Sequence, residues 1–154
     1  MSIRVSDVNI DLRELESFAD RLGKIEKQKA KERKKFIRKQ GSELRKKTVK
    51  EARANVNKLA VVRRSWTRTA GQYHKSIKRG RYYDYGGADC IRVYSSDKIA
   101  HLIELGFTPV LRNKSRGRRV PGKNVFSNAE SAFEHQFQAA CEEFAAGYKG
   151  EIER

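Results

Sequence analysis

The run "HLIELGF" at 101–107 sets a histidine and a glutamate three residues apart in an otherwise apolar stretch closed by Gly106. On a helix, positions i and i+3 share a face, so His101 and Glu104 have the spacing to bind a metal ion or to pass a proton. Two ligands do not make a site. A third would have to come from His74, His135 or a remote carboxylate, and neither H-E-x-x-H nor an H-x-E with a following C-x-x-C occurs. The pair therefore reads as structural, with Glu104 placed to pair with an arginine of its own or of a neighbouring subunit. No catalytic residue, metal or cofactor is expected.

Aromatic and basic residues offer a second chemistry. Trp66 stands among three arginines in "RRSWTRT", and Tyr82, Tyr83 and Tyr85 lie beside Arg79 and Arg81. Such settings can stack a nucleotide base over cationic support. The simpler reading makes Trp66 an amphipathic anchor between helix and sheet, and the tyrosines outward-facing sheet residues. Two basic tracts remain. "KIEKQKAKERKKFIRKQ" carries Lys27, Lys31, Lys34, Lys35 and Arg38 among interspersed glutamates, as a solvated helix face would. "RNKSRGRR" puts Arg112, Lys114, Arg116, Arg118 and Arg119 into eight residues with no acid. Cations that close repel one another unless phosphates, acidic side chains or salt relieve them. Both tracts are therefore candidate contacts for DNA or an acidic partner. No phosphate-cradling G-x-x-x-x-G-K-[ST], no G-x-S-x-G and no paired-acid nuclease motif accompanies them, so the chain carries no enzyme signature.

The bulk composition agrees. Lys and Arg number 35 against 19 Asp and Glu, a net charge of +16, and 35% of residues are charged where about a quarter is usual. A polyanionic partner follows. Hydrophobic residues make up 38%, with seven Phe and six Tyr, too many for a disordered basic tail. A length of 154 residues suits one folded domain, 1–154, with a basic surface. No apolar run approaches the roughly 18 residues of a membrane span, and "MSIRVSDVNIDL" lacks the pattern of a secretory leader, so a start in the cytoplasm is expected. Cys90 and Cys141 fall in different elements without C-x-x-C spacing and are expected to be free, largely buried thiols.

The elements that must position these residues follow from periodicity. Residues 1–60 form a helical region. Leu12, Leu15, Ala19, Leu22 and Ile25 make one stripe, and Ile37, Gly41, Leu44, Thr48, Ala52, Val56 and Leu59 make another. One helix of that length outruns a compact domain, so it either breaks near Gly23 to Lys35 or projects toward another subunit. Residues 69–122 hold a small antiparallel sheet, a short helix and the basic loop. "YHKSIKRGRYY" and "ADCIRVYSS" read as strands, "DYGGAD" as their hairpin turn, and "KIAHLIEL" as a helix capped by Ser96 or Asp97 and closed by Gly106. Phe126, Ala129, Phe133, Phe137, Ala140, Phe144 and Tyr148 give a C-terminal amphipathic helix over 124–148, packed on the sheet by an aromatic face. The class is α+β.

Three stretches in this order resemble the neck, tail-completion and minor tail proteins of long-tailed, lambda-like bacteriophages. "TAGQYHKSI" at 69–77 is similar to that family's Thr-Gly-x-Leu-x-x-Ser-Ile signature leading into the sheet. "KIAHLIELGF" resembles its Tyr-Ala-x-x-Val-Glu-x-Gly segment, and "VPGKNVFSNAESAF" its Val-Pro-Gly loop before an alanine-containing terminal helix. The matching positions are Thr69, Gly71, Ser76, Glu104, Gly106, Pro121 and Gly122. This chain departs from the pattern in the extra Ala70, in lacking a proline before Thr69, and in placing Tyr73 where the family has leucine. The resemblance implies a non-enzymatic virion protein that forms a ring with its own copies at the head-tail junction or tail end. Its neighbours would be portal or head-completion proteins above and a tail terminator or tail tube protein below, with packaged DNA passing through and touched without sequence preference. It would be assembled in the host cytoplasm. The alternative, drawn from charge and aromatics alone, is a stand-alone, sequence-independent DNA- or RNA-binding protein.

Overall fold

The computed structural model describes the backbone of residues 12–64, 66–112 and 114–152, and their side chains except at 12–19, 63, 66 and 148–152. The anchor expected of Trp66 and the helix-face roles of Leu12, Leu15, Ala19 and Tyr148 concern side chains outside the described residues. The chain divides into two compact units, Met1–Phe36 and Ile37–Arg154.

The architecture is α+β. Helix α1 (Leu12–Asn55) is followed by β1 (Val61–Arg63), β2 (Trp66–Arg68), α2 (Gln72–Ser76), β3 (Ile77–Arg79), β4 (Tyr83–Tyr85), β5 (Ala88–Cys90) and β6 (Val93–Ser95). Then come α3 (Ala100–Leu105), β7 (Gly106–Phe107), β8 (Val120–Pro121) and α4 (Val125–Ile152). The described strands pair antiparallel in four two-stranded ladders, β1 with β2, β3 with β6, β4 with β5 and β7 with β8.

In the first unit the helix runs unbroken through Gly23 to Lys35, so the break that was one alternative does not occur. The segment has no proline and is rich in Lys, Arg, Glu and Gln, whose side chains lose little freedom on a helix. Gln28 Nε2 donates to Glu32 Oε1 one turn on, at 3.2 Å. Leu22 and Ile25 stand exposed.

In the second unit, the later part of α1 lays its stripe against the rest. Gly41, Thr48 and Ala52 are buried and Ile37, Leu44 and Val56 half-buried, whereas Leu59, beyond the helix end, is exposed. Ala52, Tyr73, Ile77 and Val125 form the core, joined by Val49, Val93, Ile103 and Phe126. Arg45 Nε donates to the Ile77 carbonyl at 3.0 Å and fixes β3 on the helix.

The Gly86-Gly87 turn closes β4 and β5 into the expected hairpin. Below it, residues 80–82 oppose only 91–92 before β3 and β6 resume, which is a β-bulge. Its extra residue lies on the strand opposite "ADCIRVYSS", where Ile91 and Val93 are half-buried and Arg92 and Tyr94 exposed. Cys90 and Ile91 line the same hollow, and both cysteines are free thiols that are half-buried rather than largely buried.

The strand expected over "YHKSIKRGRYY" begins as a helix. Gly71 takes φ +68°, a left-handed conformation suited to glycine, and Ser76 Oγ bonds the Tyr73 carbonyl at 2.6 Å and meets Ser95 Oγ at 2.6 Å. Five residues have no helical stability of their own, so these tertiary contacts make α2. Arg68 and Asp97 form a two-contact ion pair at 3.3 and 2.5 Å, their side chains only 13% and 2% exposed. Asp97 also accepts the Ile99 amide at 3.1 Å, which opens the turn into α3.

Where "HLIELGF" meets "VPGKN", two backbones touch. Gly106 pairs with Pro121 and Phe107 with Val120, and the Lys123 amide donates to the Ile103 carbonyl at 2.7 Å. A Cβ at Gly122 would fall on the Glu104 carbonyl, and one at Gly106 on the Val120 carbonyl. Between these strands the expected basic loop is an ordered hairpin arm. The Gly117 amide donates to Pro109 O at 2.8 Å, the Leu111 amide to Ser115 O at 2.9 Å, and Val110 bridges Arg116. Lys114 closes its tip with φ +62°.

Helix α4 starts after Asn124, as expected, but continues through Gly147 to Ile152. Glycine weakens a helix by about 1 kcal/mol against alanine and does not by itself end one. Its aromatic face is buried only at the start. Ala129 and Phe133 are covered, Ala140 and Phe144 half-buried, and Phe137 exposed.

Gly122→Ala must push two backbones apart and should cost about 1–3 kcal/mol or more, read from chemical denaturation. Gly23→Ala, with nothing within 4 Å of the added methyl, should instead stabilise its helix by about 0.5–1 kcal/mol. Equal effects of the two substitutions would contradict this packing.

Candidate functional site

The motif residues converge on Glu104, through contacts that lie apart in sequence. Helix α2 presents Tyr73, α3 presents Glu104, and the Gly106–Gly122 approach brings the start of α4 over both. Tyr73 Oη donates to Glu104 Oε1 at 3.1 Å, and the Phe126 amide donates to both carboxylate oxygens at 3.2 and 3.3 Å. Phe126 lies in the first turn of α4, whose free amides favour a negative charge. Glu104 thus caps α4 from another helix. Its described partners are a phenol and a backbone amide rather than an arginine.

Burial raises the Tyr73 phenol well above the ordinary tyrosine value, with the Glu104 charge, its hydrogen bond to Glu104 and the Asp97 charge adding to the effect. The phenol therefore stays a donor. The resemblance drawn from the sequence puts a leucine at this position; here the tyrosine adds a polar handle to a core side chain. That substitution was the one available sign that Glu104 had an internal partner, and sequence reasoning missed it.

The histidines do not assemble. His101 and His135 are exposed, while His74 is buried with Nε2 between the Ala52 and Val56 carbonyls at 3.1 and 3.0 Å. Both neighbours accept, so Nε2 carries the proton and His74 closes the end of α1. Its Nδ1 is buried without a partner. Among the described residues no group of three His, Cys, Asp or Glu is placed to hold a metal ion.

The cationic candidates fall in separate places. Lys27, Lys31, Lys34 and Lys35 are exposed on the helix of the first unit. Arg38, in the second unit, is exposed, with its carbonyl accepting from Arg79 Nη1 at 3.2 Å. Arg112, Lys114, Arg116, Arg118 and Arg119 are all exposed on the arm. Of the tyrosines, Tyr83 and Tyr85 face outward as expected, while Tyr82 turns its hydroxyl to Asp89.

The remaining motif positions are structural. Thr69 O accepts the Gln72 amide at 3.2 Å and Gln72 Oε1 accepts the Thr69 amide at 3.3 Å, a reciprocal pair around Gly71. With these contacts the signature residues account for the meeting of α2, α3, β8 and α4. A profile of the family described as "Bacteriophage HK97-gp10, putative tail-component" matches residues 16–106, more than half of the chain. The chain belongs to this family. No curated protein and no solved structure matches it. Membership makes this a phage tail component, a structural virion protein that works beside other virion proteins. The matched stretch of the HK97-gp10-like protein ends at Gly106, so the arm and α4 lie beyond it. No described helix is long and apolar enough to cross a membrane.

Glu104→Gln should destabilise the second unit by about 1–3 kcal/mol, since it removes the charge that strengthens both hydrogen bonds and sets an amide NH2 against the Phe126 amide in place of an acceptor. In a double-mutant cycle with Tyr73→Phe the two losses should fall short of additive; strict additivity would mean the contact is idle. Because the folded chain holds the Tyr73 proton more tightly than the unfolded one, its stabilisation is intact below about pH 10 and lost as pH rises above it. The stability difference between wild type and Tyr73→Phe should accordingly shrink from about pH 9 to 11, measured by denaturant titration.

Proposed function

We propose that this HK97-gp10-like chain is a neck or tail-completion protein whose copies form a ring at the head-tail junction or tail end, joining the capsid connector to the tail around the DNA passage. The partners would be portal or head-completion proteins on one side and a tail terminator or tail tube protein on the other. Family membership supports the virion role. The observation that carries the self-association is the unpartnered surface at the arm. Leu105 is 71% exposed, Val110 72% and Leu111 50%, with Phe107 and Val120 exposed beside them. Several large apolar side chains left exposed on and beside one arm of a charged protein mark it as an interaction element.

DNA enters this reading as a lining partner. Lys27, Lys31, Lys34 and Lys35 recur at helical spacing, and a cationic helix face meets phosphates without reading bases. The second reading, a stand-alone nucleic-acid-binding protein, rests on the net charge of +16 and predicts tight binding at physiological salt without any ring.

Negative-stain imaging and sedimentation of the purified chain, alone and mixed with virion components, should give closed rings. A chain that stays monomeric at high concentration and with its partners would end the ring proposal. For the second reading, neutralising Arg116, Arg118 and Arg119 should reduce the slope of log K against log salt by about 0.9 for each phosphate that the arm no longer neutralises. An unchanged slope removes the arm as a nucleic-acid contact.

A further inference from the structure

The arm is one half of a matched pair of surfaces. Across the second unit lies an open groove of about 500 Å³, within the range of pockets that take apolar groups. Its floor is apolar, with Ile37 and Leu44 of α1, Ile91 after the hairpin, and Phe133 and Phe137 of α4. Its lip on α4 is acidic, formed by Glu130 and Glu134, both exposed. Asp89, held by the Tyr82 hydroxyl, adds a third carboxylate to the lining.

In a chain of charge +16, an acid-lined apolar groove is a local reversal of sign. Glu130 and Glu134 lie one turn apart, so they present two negative charges on one side of the helix. The arm carries the complement. Val110 and Arg116 oppose each other across it, which places an apolar and a cationic side chain on the same face, while Leu111 lies on the other face beside Pro109 and Gly117.

We infer that the basic arm of one copy docks in the acid-lipped groove of the next, with Val110 entering the apolar floor and Arg116, on the same face, meeting Glu130 and Glu134 with the arm's other arginines around it. This deepens the ring reading above and rests on it. Nucleic acid explains the arm less well, because a phosphate backbone would satisfy the arginines and leave Leu105, Phe107, Val110, Leu111 and Val120 uncovered. It explains the groove not at all, since carboxylates repel phosphate. Arm and groove are different surfaces, so the contact is head to tail, and repetition of such a contact closes into a ring or runs on as a filament.

Charge exchange in the full chain tests the inference. An arm variant (Arg116→Glu, Arg118→Glu, Arg119→Glu) and a groove variant (Glu130→Lys, Glu134→Lys) should each stay monomeric by sedimentation, with circular dichroism and melting confirming a folded chain. Placing both sets in one chain restores opposite charges at every arm-groove contact and should restore rings. If wild type forms no ring, the function proposed above fails and takes this inference with it. If wild type forms rings and either single set still does, the ring stands and this interface is wrong. If the arm variant keeps its rings but loses salt-dependent binding to a DNA duplex, the arm is a nucleic-acid contact instead. Failure of the combined variant to reassemble, when both parents fold and remain monomeric, also overturns the pairing.

Discussion

The second unit depends on one carboxylate. Glu104 accepts from Tyr73, 31 residues before it, and from the Phe126 amide, 22 residues after it. Those bonds form only when α2, α3 and α4 have reached their places, so each element stabilises the others through a shared acceptor. A charged acceptor suits the task. It meets two donors at once, and the positive end of α4 favours its charge. The glycines at 106 and 122 make this geometry available, because any side chain there would separate α3 from the strand leading to α4. The Val-Pro-Gly and Glu-x-Gly patterns are two sides of one close approach.

Much of the fold was legible because its signals are local. The Gly86-Gly87 turn, the start of α4 after Asn124 and the stripe from Ile37 to Val56 follow from periodicity and turn chemistry. What was not legible depends on distant residues or on conformations with weak local signals. Helix α2 is too short to nucleate alone and exists through Ser76, Ser95 and the core around Tyr73. Among the described residues of the arm's tip the left-handed one is Lys114, a residue type that does not by itself announce a turn. The bulge at 80–82 sets three residues against two on the facing strand, and only Gly80 marks it in the sequence. At the candidate site, "HLIELGF" showed that Glu104 mattered and gave no sign of its partners.

The same contrast separates what holds the protomer from what remains for its neighbours. The buried apolar residues cluster where α1, α2, β3 and the first turns of α4 meet. Beyond Phe133 the aromatic stripe continues while its cover thins, so Phe137 carries an exposure cost that packing within the second unit does not remove. On the arm the same imbalance appears in a different form, as a regular hairpin with apolar and cationic side chains and no core of its own. A two-stranded hairpin alone is marginal in water. Tethering by β7 and β8 gives it an ordered base, and the tip is left to bind.

Net charge then works in two ways on assembly. Copies carrying +16 repel one another at long range, but at physiological ionic strength that repulsion is screened over roughly 8 Å. Opposite charges brought together at an arm and a groove lie well inside that distance and partly exclude water, so their attraction survives where the general repulsion fades. Two basic arms gain nothing from meeting each other, which disfavours a symmetric arm-to-arm dimer. The head-to-tail contact is the one in which apolar burial and charge agree, and it leaves the lysines of the first unit's helix uncommitted to it. In the ring proposed above, those cations would raise the cost of bringing copies together. A polyanion among them would lower that cost, so in that reading the charge that keeps free copies apart would also favour assembly around DNA.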